Sequence, residues 1–136
     1  MRLFTPEQMR TADDKTISAV GLPGMVLMER AALGAVEALL AHCDERPERV
    51  GLLCGGGNNG GDGVAMARML EQRGIATELI FLSATDGIEG DAGQNLAVVD
   101  ALDFDYLDLG EHEPEEAAEI LTQQAPADVW CHALLG

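Results

Sequence analysis

The sequence predicts a three-layer α/β domain around a mainly parallel sheet, and three observations carry that prediction. Short apolar runs alternate with amphipathic stretches along the chain, the order that places parallel strands between helices. The run Val50-Gly51-Leu52-Leu53 enters a glycine-rich turn from Cys54 to Gly63, which leads straight into the apolar-periodic Val64 to Leu70. With 136 residues and 47% hydrophobic content, the chain is large enough for one core but small for a complete doubly wound sheet. A single domain over residues 1–136 follows.

Thr5-Pro6-Glu7-Gln8 starts the first helix, with Thr5 as N-cap, Pro6 at the first helical position and Gln8 closing a capping box. That helix runs to about Val20, where Gly21 stops it. Residues 24–43 carry Met28, Ala31, Ala32, Ala35, Leu39 and Leu40 at helical spacing, a stripe read first as core and second as a dimer face. Glu45 to Arg49 is a polar turn into the first strand. After the glycine turn, a helix over 61–73 ends at Gly74, and Ala76 to Leu82 reads as the second strand, with Glu78 marking a strand end. A loop over 85–90 precedes a helix over 91–102 that places Ala92, Leu96, Val99 and Leu102 on one face. Phe104, Tyr106 and Leu107 form a short third strand. Glu113-Pro114 opens a helix lasting to about Gln124, and Ala127 to Cys131 is the fourth strand. The alternation implies right-handed crossovers and a Rossmann-like layer order. Such sheets bind ligands at the carboxyl ends of their strands, where the glycine turn and His132 are both expected.

Charge narrows the function classes. Twenty-four acids stand against eight bases, a net charge of −16, and the acids are spread over every segment. Nucleic-acid binding is disfavoured, because neutralising phosphates needs basic side chains. A salt-adapted source or ordinary acidity accounts for the balance. No apolar run approaches the roughly 18 residues of a membrane span, and Met1 to Pro6 carries no apolar signal core, so a cytoplasmic protein is expected. Cys43, Cys54 and Cys131 show no CxxC spacing. His42-Cys43 and Cys131-His132 are expected at opposite edges of the sheet, which argues against zinc and for cysteines as small core residues.

The glycine turn is the candidate site. Six glycines in the nine positions 55–63 leave few side chains, so backbone N–H groups can approach a ligand and adopt positive φ where needed. At a helix N-terminus, such a turn is suited to an anion. Gly55-x-Gly57-x-x-Gly60 satisfies the dinucleotide fingerprint, but no acid ends the second strand to hold a ribose, and no Gly-Lys-Ser/Thr follows to make a P-loop. A tight strand-to-helix turn without a ligand is the alternative.

The longer string Gly57-Asn58-Asn59-Gly60-Gly61-Asp62-Gly63, followed by Ala67-Arg68, resembles the glycine loop of the NAD(P)H-hydrate epimerase family, the YjeF N-terminal domain. Three further stretches agree in order: Gly21 to Glu29, Gly90-Asp91-Ala92 with Asn95-Leu96, and Ala133-Leu134-Leu135-Gly136. The resemblance implies an isomerase that epimerises the R and S forms of hydrated NADH and NADPH in nicotinamide nucleotide repair. Its implied functional partner is an NAD(P)H-hydrate dehydratase, and its implied state a homodimer. It implies substrate binding by Asn58, Asn59, Gly60, Gly61, Asp62 and Gly136, and a potassium ion held by Asn59. Where the family reads Asp-Ala-Leu-Leu-Gly, this chain has His132 in the catalytic aspartate's place; imidazole is a poor potassium ligand but a competent general base near neutral pH. A plain strand-end role for His132 is the alternative. Met28-Glu29-Arg30-Ala31 stands where the family has Met-Glu-Asn-Ala. The match stops at Gly136, inside the family's second ligand loop, so the reading expects a C-terminally truncated chain and a sheet left incomplete, with an open edge after residue 131. A catalytically degenerate module that binds a nucleotide ligand or a partner is the second functional reading.

Overall fold

The computed structural model describes residues 3–135. Helix α1 (Pro6–Lys15) continues into one π-helical turn (Thr16–Val20), and α2 (Gly24–His42) follows. Strand β1 (Arg49–Cys54), α3 (Asn58–Glu71), β2 (Ala76–Phe81), α4 (Gly90–Ala101), β3 (Leu107–Asp108), α5 (Pro114–Thr122) and β4 (Val129–Ala133) complete the order. All strand pairs are parallel, and the sheet runs β3-β2-β1-β4. The family of folds expected from the alternation is the one observed.

The central helix is α3, which packs on β1, β2 and β4 and is flanked by α2 and α4. Right-handed crossovers place the return helix α5 on the opposite sheet face, because the connection from β3 to β4 runs back across the sheet. That face is thinly covered: α5 has no buried residue. The core lies between α3 and the sheet, where Val50, Leu52, Cys54, Val64, Leu70, Ile75 and Phe81 are buried. At the far edge, Asp128 accepts from the N–H groups of Glu48 and Arg49 at 2.8 and 3.0 Å, tying β4 to the start of β1.

Local chemistry sets the ends of the first helical segment. Thr5 and Gln8 form the full capping box, and Pro6 stands in the first turn. Gly21 ends the first helical segment at φ +80°, a conformation that costs a glycine little.

Several expectations are corrected. In α2 only Met28, Ala32 and Val36 are fully buried, while Ala31 and Ala35 are exposed. Leu102 is exposed past the end of α4. Phe104 and Tyr106 precede β3 rather than forming it; Tyr106 meets Phe81 edge-on, with centroids 5.3 Å apart. Glu78 lies inside β2, where Arg49 of the neighbouring strand pairs with it at 3.3 Å.

The largest correction concerns the glycines. None of those between 55 and 63 has positive φ; the positive-φ glycines are 21, 74, 87 and 90. Gly60, Gly61 and Gly63 lie inside α3 and are required for close approach instead. A Cβ on Gly60 would collide with the Gly55 carbonyl oxygen. On Gly61 it would stand 2.7 Å from Met28 Sδ and 2.8 Å from Ala92 Cα, and on Gly63 it would stand 2.5 Å from Cys54 Sγ.

Gly34, in the middle of α2, has open space around it. Gly34→Ala is expected to stabilise the fold by about 0.5–1 kcal/mol through helix propensity. Gly61→Ala gains the same propensity but overpacks against backbone, and a net loss of about 1–3 kcal/mol is expected. Denaturant unfolding of the two variants checks the opposite signs.

Candidate functional site

The site is assembled at the carboxyl end of β1. Helix α3 begins at Asn58, three residues earlier than its composition suggested, so both asparagines occupy its first turn. Gly57 is the N-cap and supplies no capping side chain. The first intrahelical bond runs from Gly61 N–H to the Gly57 carbonyl at 3.1 Å, which leaves the N–H groups of Asn58, Asn59 and Gly60 ahead of the ladder. Those donors and the positive end of the helix face the loop between β1 and α3.

Two hollows meet there. A cavity of about 170 Å³ is lined by Asp13, Ile17, Gly24, Asn58, Asp62 and Asp91, among others. An apolar groove of about 410 Å³ is bordered by Ala31, Ala35, Leu39, Asn59, Asp62 and His132. Asp62 therefore stands on the wall between them. Burial pushes its carboxyl up to about 6; the Asn59 side chain opposes that shift, and the charge of Asp13 adds to it. Near neutral pH this carboxyl is present in both protonation states, which suits a group that gives and takes a proton.

Of the residues singled out in the sequence, Asn58, Asn59, Gly60, Gly61 and Asp62 are brought together by one helix start. Asn58 is exposed, Asn59 and Asp62 are half-buried, and Gly60 and Gly61 are buried. Asn59 Oδ1 accepts from the Leu135 N–H at 3.2 Å, joining the helix start to the segment after β4. Gly136 lies outside the described residues. His132 is exposed and pairs in register with Leu53. Strand alternation puts it on the sheet face of Trp130, away from α3, because Cys54 and Ala133 are the residues that meet Gly63. It borders the groove at the strand edge and makes no side-chain hydrogen bond among the described residues.

The potassium expectation can be tested on the donor set. A hard cation of this kind takes six or more oxygens. Among the described residues, Asn59 offers one amide oxygen already engaged with Leu135, Asp62 offers one half-buried carboxyl, and His132 brings nitrogen on the wrong face. These three side chains fall short of such a shell on their own. For zinc, no group of three or more His, Cys, Asp or Glu gathers among the described residues. The expected separation of the two Cys-His pairs to opposite sheet edges is corrected: Cys43 is near enough to Cys131 that, after burial, it is the second cause pushing the Cys131 thiol up.

Asp13 and Asp91 were missed as site residues. Asp91 lies in one of the stretches that resemble the family but has no role assigned by it, and Asp13 looks in sequence like any acid on an exposed helix. Asn95 was also missed as a polar core residue: it is fully buried, its Nδ2 donates to Met28 Sδ at 3.1 Å, and its Oδ1 has no partner among the described residues.

Residues 24–136 match the family model described as the YjeF-related protein N-terminus. The chain belongs to that family. An NAD(P)H-hydrate epimerase from Weissella koreensis is 44% identical over 94 residues, covering 69% of this chain and 40% of that protein. An NAD(P)H-hydrate epimerase from Pirellula staleyi is 34% identical over 135 residues, covering 99% and 58%. A bifunctional NAD(P)H-hydrate repair enzyme from Salinibacter ruber is 35% identical over 140 residues, covering 98% and 26%. The chain thus spans less than two thirds of the length of each of these relatives. The crystal structure of yeast ynu0 superposes on all of this chain and 57% of its own, with a TM-score of 0.70 at 20% identity, a likeness of fold. No helix among the described residues of this YjeF-related domain is long and apolar enough to cross a membrane.

Asp62 makes stability depend on pH with a definite sign. Its folded pKa of about 6 lies above the ordinary 3.8, so between those values the folded state holds a proton that the unfolded state releases. Stability from this group is therefore lost as pH rises towards and through about 6. Asp62→Asn is expected to raise stability by about 1 kcal/mol at pH 7, discounted for partial exposure, and to change it little near pH 4. Urea unfolding at the two pH values measures the difference, and equal losses at both would contradict it.

Proposed function

We propose that this chain epimerises the R and S forms of hydrated NADH and NADPH, in the cytoplasm, beside a dehydratase that consumes one epimer, and as a homodimer. The observation that carries this reading is the helix start at Asn58–Asp62, with three unladdered N–H groups and one carboxyl of raised pKa on the wall of a cavity, in a chain of the YjeF-related family. The names of its relatives, epimerase and repair enzyme for NAD(P)H-hydrate, support the substrate class.

The residues divide the work. Free N–H groups at a helix N-terminus suit a pyrophosphate, and Asn58, Asn59, Gly60 and Gly61 bring the backbone and amides close to it. The hydrate carries its hydroxyl on a ring carbon bonded to nitrogen. Protonated Asp62 gives its proton to that hydroxyl, the C–O bond breaks as the nitrogen lone pair forms C=N⁺, and water leaves. Water then adds to the opposite face of the carbon and returns a proton to the Asp62 carboxylate. Atoms and charge balance over the cycle, and no step passes through a metal.

A second reading, a non-catalytic module that binds the nucleotide or a partner, is favoured by His132. An exposed imidazole facing away from α3 adds no carboxylate to the cavity.

A mixed-epimer preparation of hydrated NADH, incubated with a dehydratase that uses one epimer, stalls at partial consumption. Adding this chain is expected to drive consumption to completion, and Asp62→Asn is expected to slow that by about 100-fold or more while the fold persists. Tight binding in calorimetry with no acceleration would favour the binding module. Because residue 132 lies on the sheet face away from α3, His132→Asp is expected to change neither the rate nor its potassium response; a rise in both would bring this position into the reaction.

A further inference from the structure

The junction of α2, α3 and α4 holds a side chain that packing energy does not account for. Asn95, on α4, is the one buried polar side chain among the described residues. Its Nδ2 donates to Met28 Sδ at 3.1 Å, and its Oδ1 has no partner among those residues. A thioether sulfur only accepts, and weakly, so the amide makes one poor hydrogen bond and leaves its carbonyl unpaired. Leucine, with the same branching, would serve the core better. Asn95 is therefore placed for something other than stability.

Its neighbours show what it holds. Asp91, one turn earlier on the same face of α4, lines the cavity beside Asp62, and Met28 of α2 lines it too. A Cβ on Gly61 of α3 would stand 2.7 Å from Met28 Sδ, 2.9 Å from its Cε and 2.8 Å from Ala92 Cα, so three helices meet at this one thioether. Asn95 is not on the cavity wall and reaches it through Met28. Methionine is unbranched and adaptable, and apolar contact alone leaves it several arrangements. A directional bond to its sulfur selects one. We infer that Asn95 is a positioning residue: its amide fixes Met28 and, through it, the apolar wall of the cavity that Asp62 also lines, so that a substrate ring meets a single shape. The kinetic consequence rests on the epimerase reading, whereas the consequence for Met28 does not.

Asn95→Leu in the full 136-residue chain, labelled with methyl-13C methionine, tests it. The Met28 methyl carbon is expected to resonate at the shift of one thioether rotamer in the wild type and at a rotamer-averaged shift in the variant. The thermal midpoint should hold or rise, because the unpaired carbonyl is gone. Epimerisation of hydrated NADH should lose about 10-fold in kcat with KM within about two-fold, since the N–H groups at the start of α3 are untouched. Met28→Leu keeps the volume but removes the acceptor, so it should lose about as much, and the double variant no more than either alone. Val36→Ala, buried about two turns further along α2, should do the reverse: a lower midpoint with kcat and the Met28 signal unchanged. An unchanged Met28 signal in Asn95→Leu overturns the proposal whether or not the chain is active. A lower midpoint with kcat intact, or losses that multiply in the double variant, overturns it as well. A wild type that does not epimerise overturns the catalytic reading instead, and the Met28 signal then decides this one.

Discussion

The close approach of α3 to its neighbours is the constraint on which the rest of this structure depends. A helix that touches three strands and two helices must present almost no side chains at its crowded first turns, and Gly60, Gly61 and Gly63 meet that demand against Gly55, Met28 with Ala92, and Cys54 respectively. Interior glycines each cost a helix about 1 kcal/mol relative to alanine. Here that cost is offset by packing, because the first turns are buried on several sides and Val64, Ala65, Ala67 and Leu70 complete the core just beyond. The helix therefore starts where tertiary contact starts it, at Asn58, rather than where propensity would.

The same contacts decide what the sheet can accept at its edges. Gly51 lies under Trp130, where a Cβ would collide with the indole, so β4 can sit flush against β1 and bring the Ala133 carbonyl to Gly55 N–H at 2.9 Å. On the other side, β3 is only two residues long, and Asp108 turns its carboxylate to Thr85 and Gly110 within the loops. Those three contacts hold its pKa below the usual carboxylate range against the opposing effect of burial. The two edges thus differ: β3 is short and acid-flanked, whereas β4 offers five residues with no Asp, Glu, Lys or Arg among them.

What was legible in the sequence follows the range of the forces involved. The capping box at Thr5, the stop at Gly21 and the parallel alternation are local or periodic signals, and the structure has all three. Phe104 and Tyr106 misled because aromatic residues favour strands, yet Tyr106 is used for its edge-on contact with Phe81. Glu78 misled because a charge inside a strand looks costly until Arg49 is known to lie on the next strand. At the candidate site, the residues of the glycine string were legible as a motif, but the partners Asp13 and Asp91 come from segments far apart in the chain. Only the fold places them beside Asp62.

Glycine content at the candidate site therefore has a cause different from the one its composition suggests. A flexible anion loop would show glycines at positive φ, and this turn shows none. What the ligand would meet is a rigid helix start whose N–H groups are aimed by the core beneath them, so binding pays little ordering entropy. The consequence is that site and core are one object: any side chain that moved α3 away from Cys54, Met28 or Ala92 would also move Asn58, Asn59 and Asp62. Asp62 is the group most sensitive to such a shift, since its raised pKa comes first from burial and then from the balance of Asn59 against Asp13. Loosening the packing would wet that carboxyl and return it towards its ordinary value. The raised pKa of Asp62 is in this sense a product of the glycines.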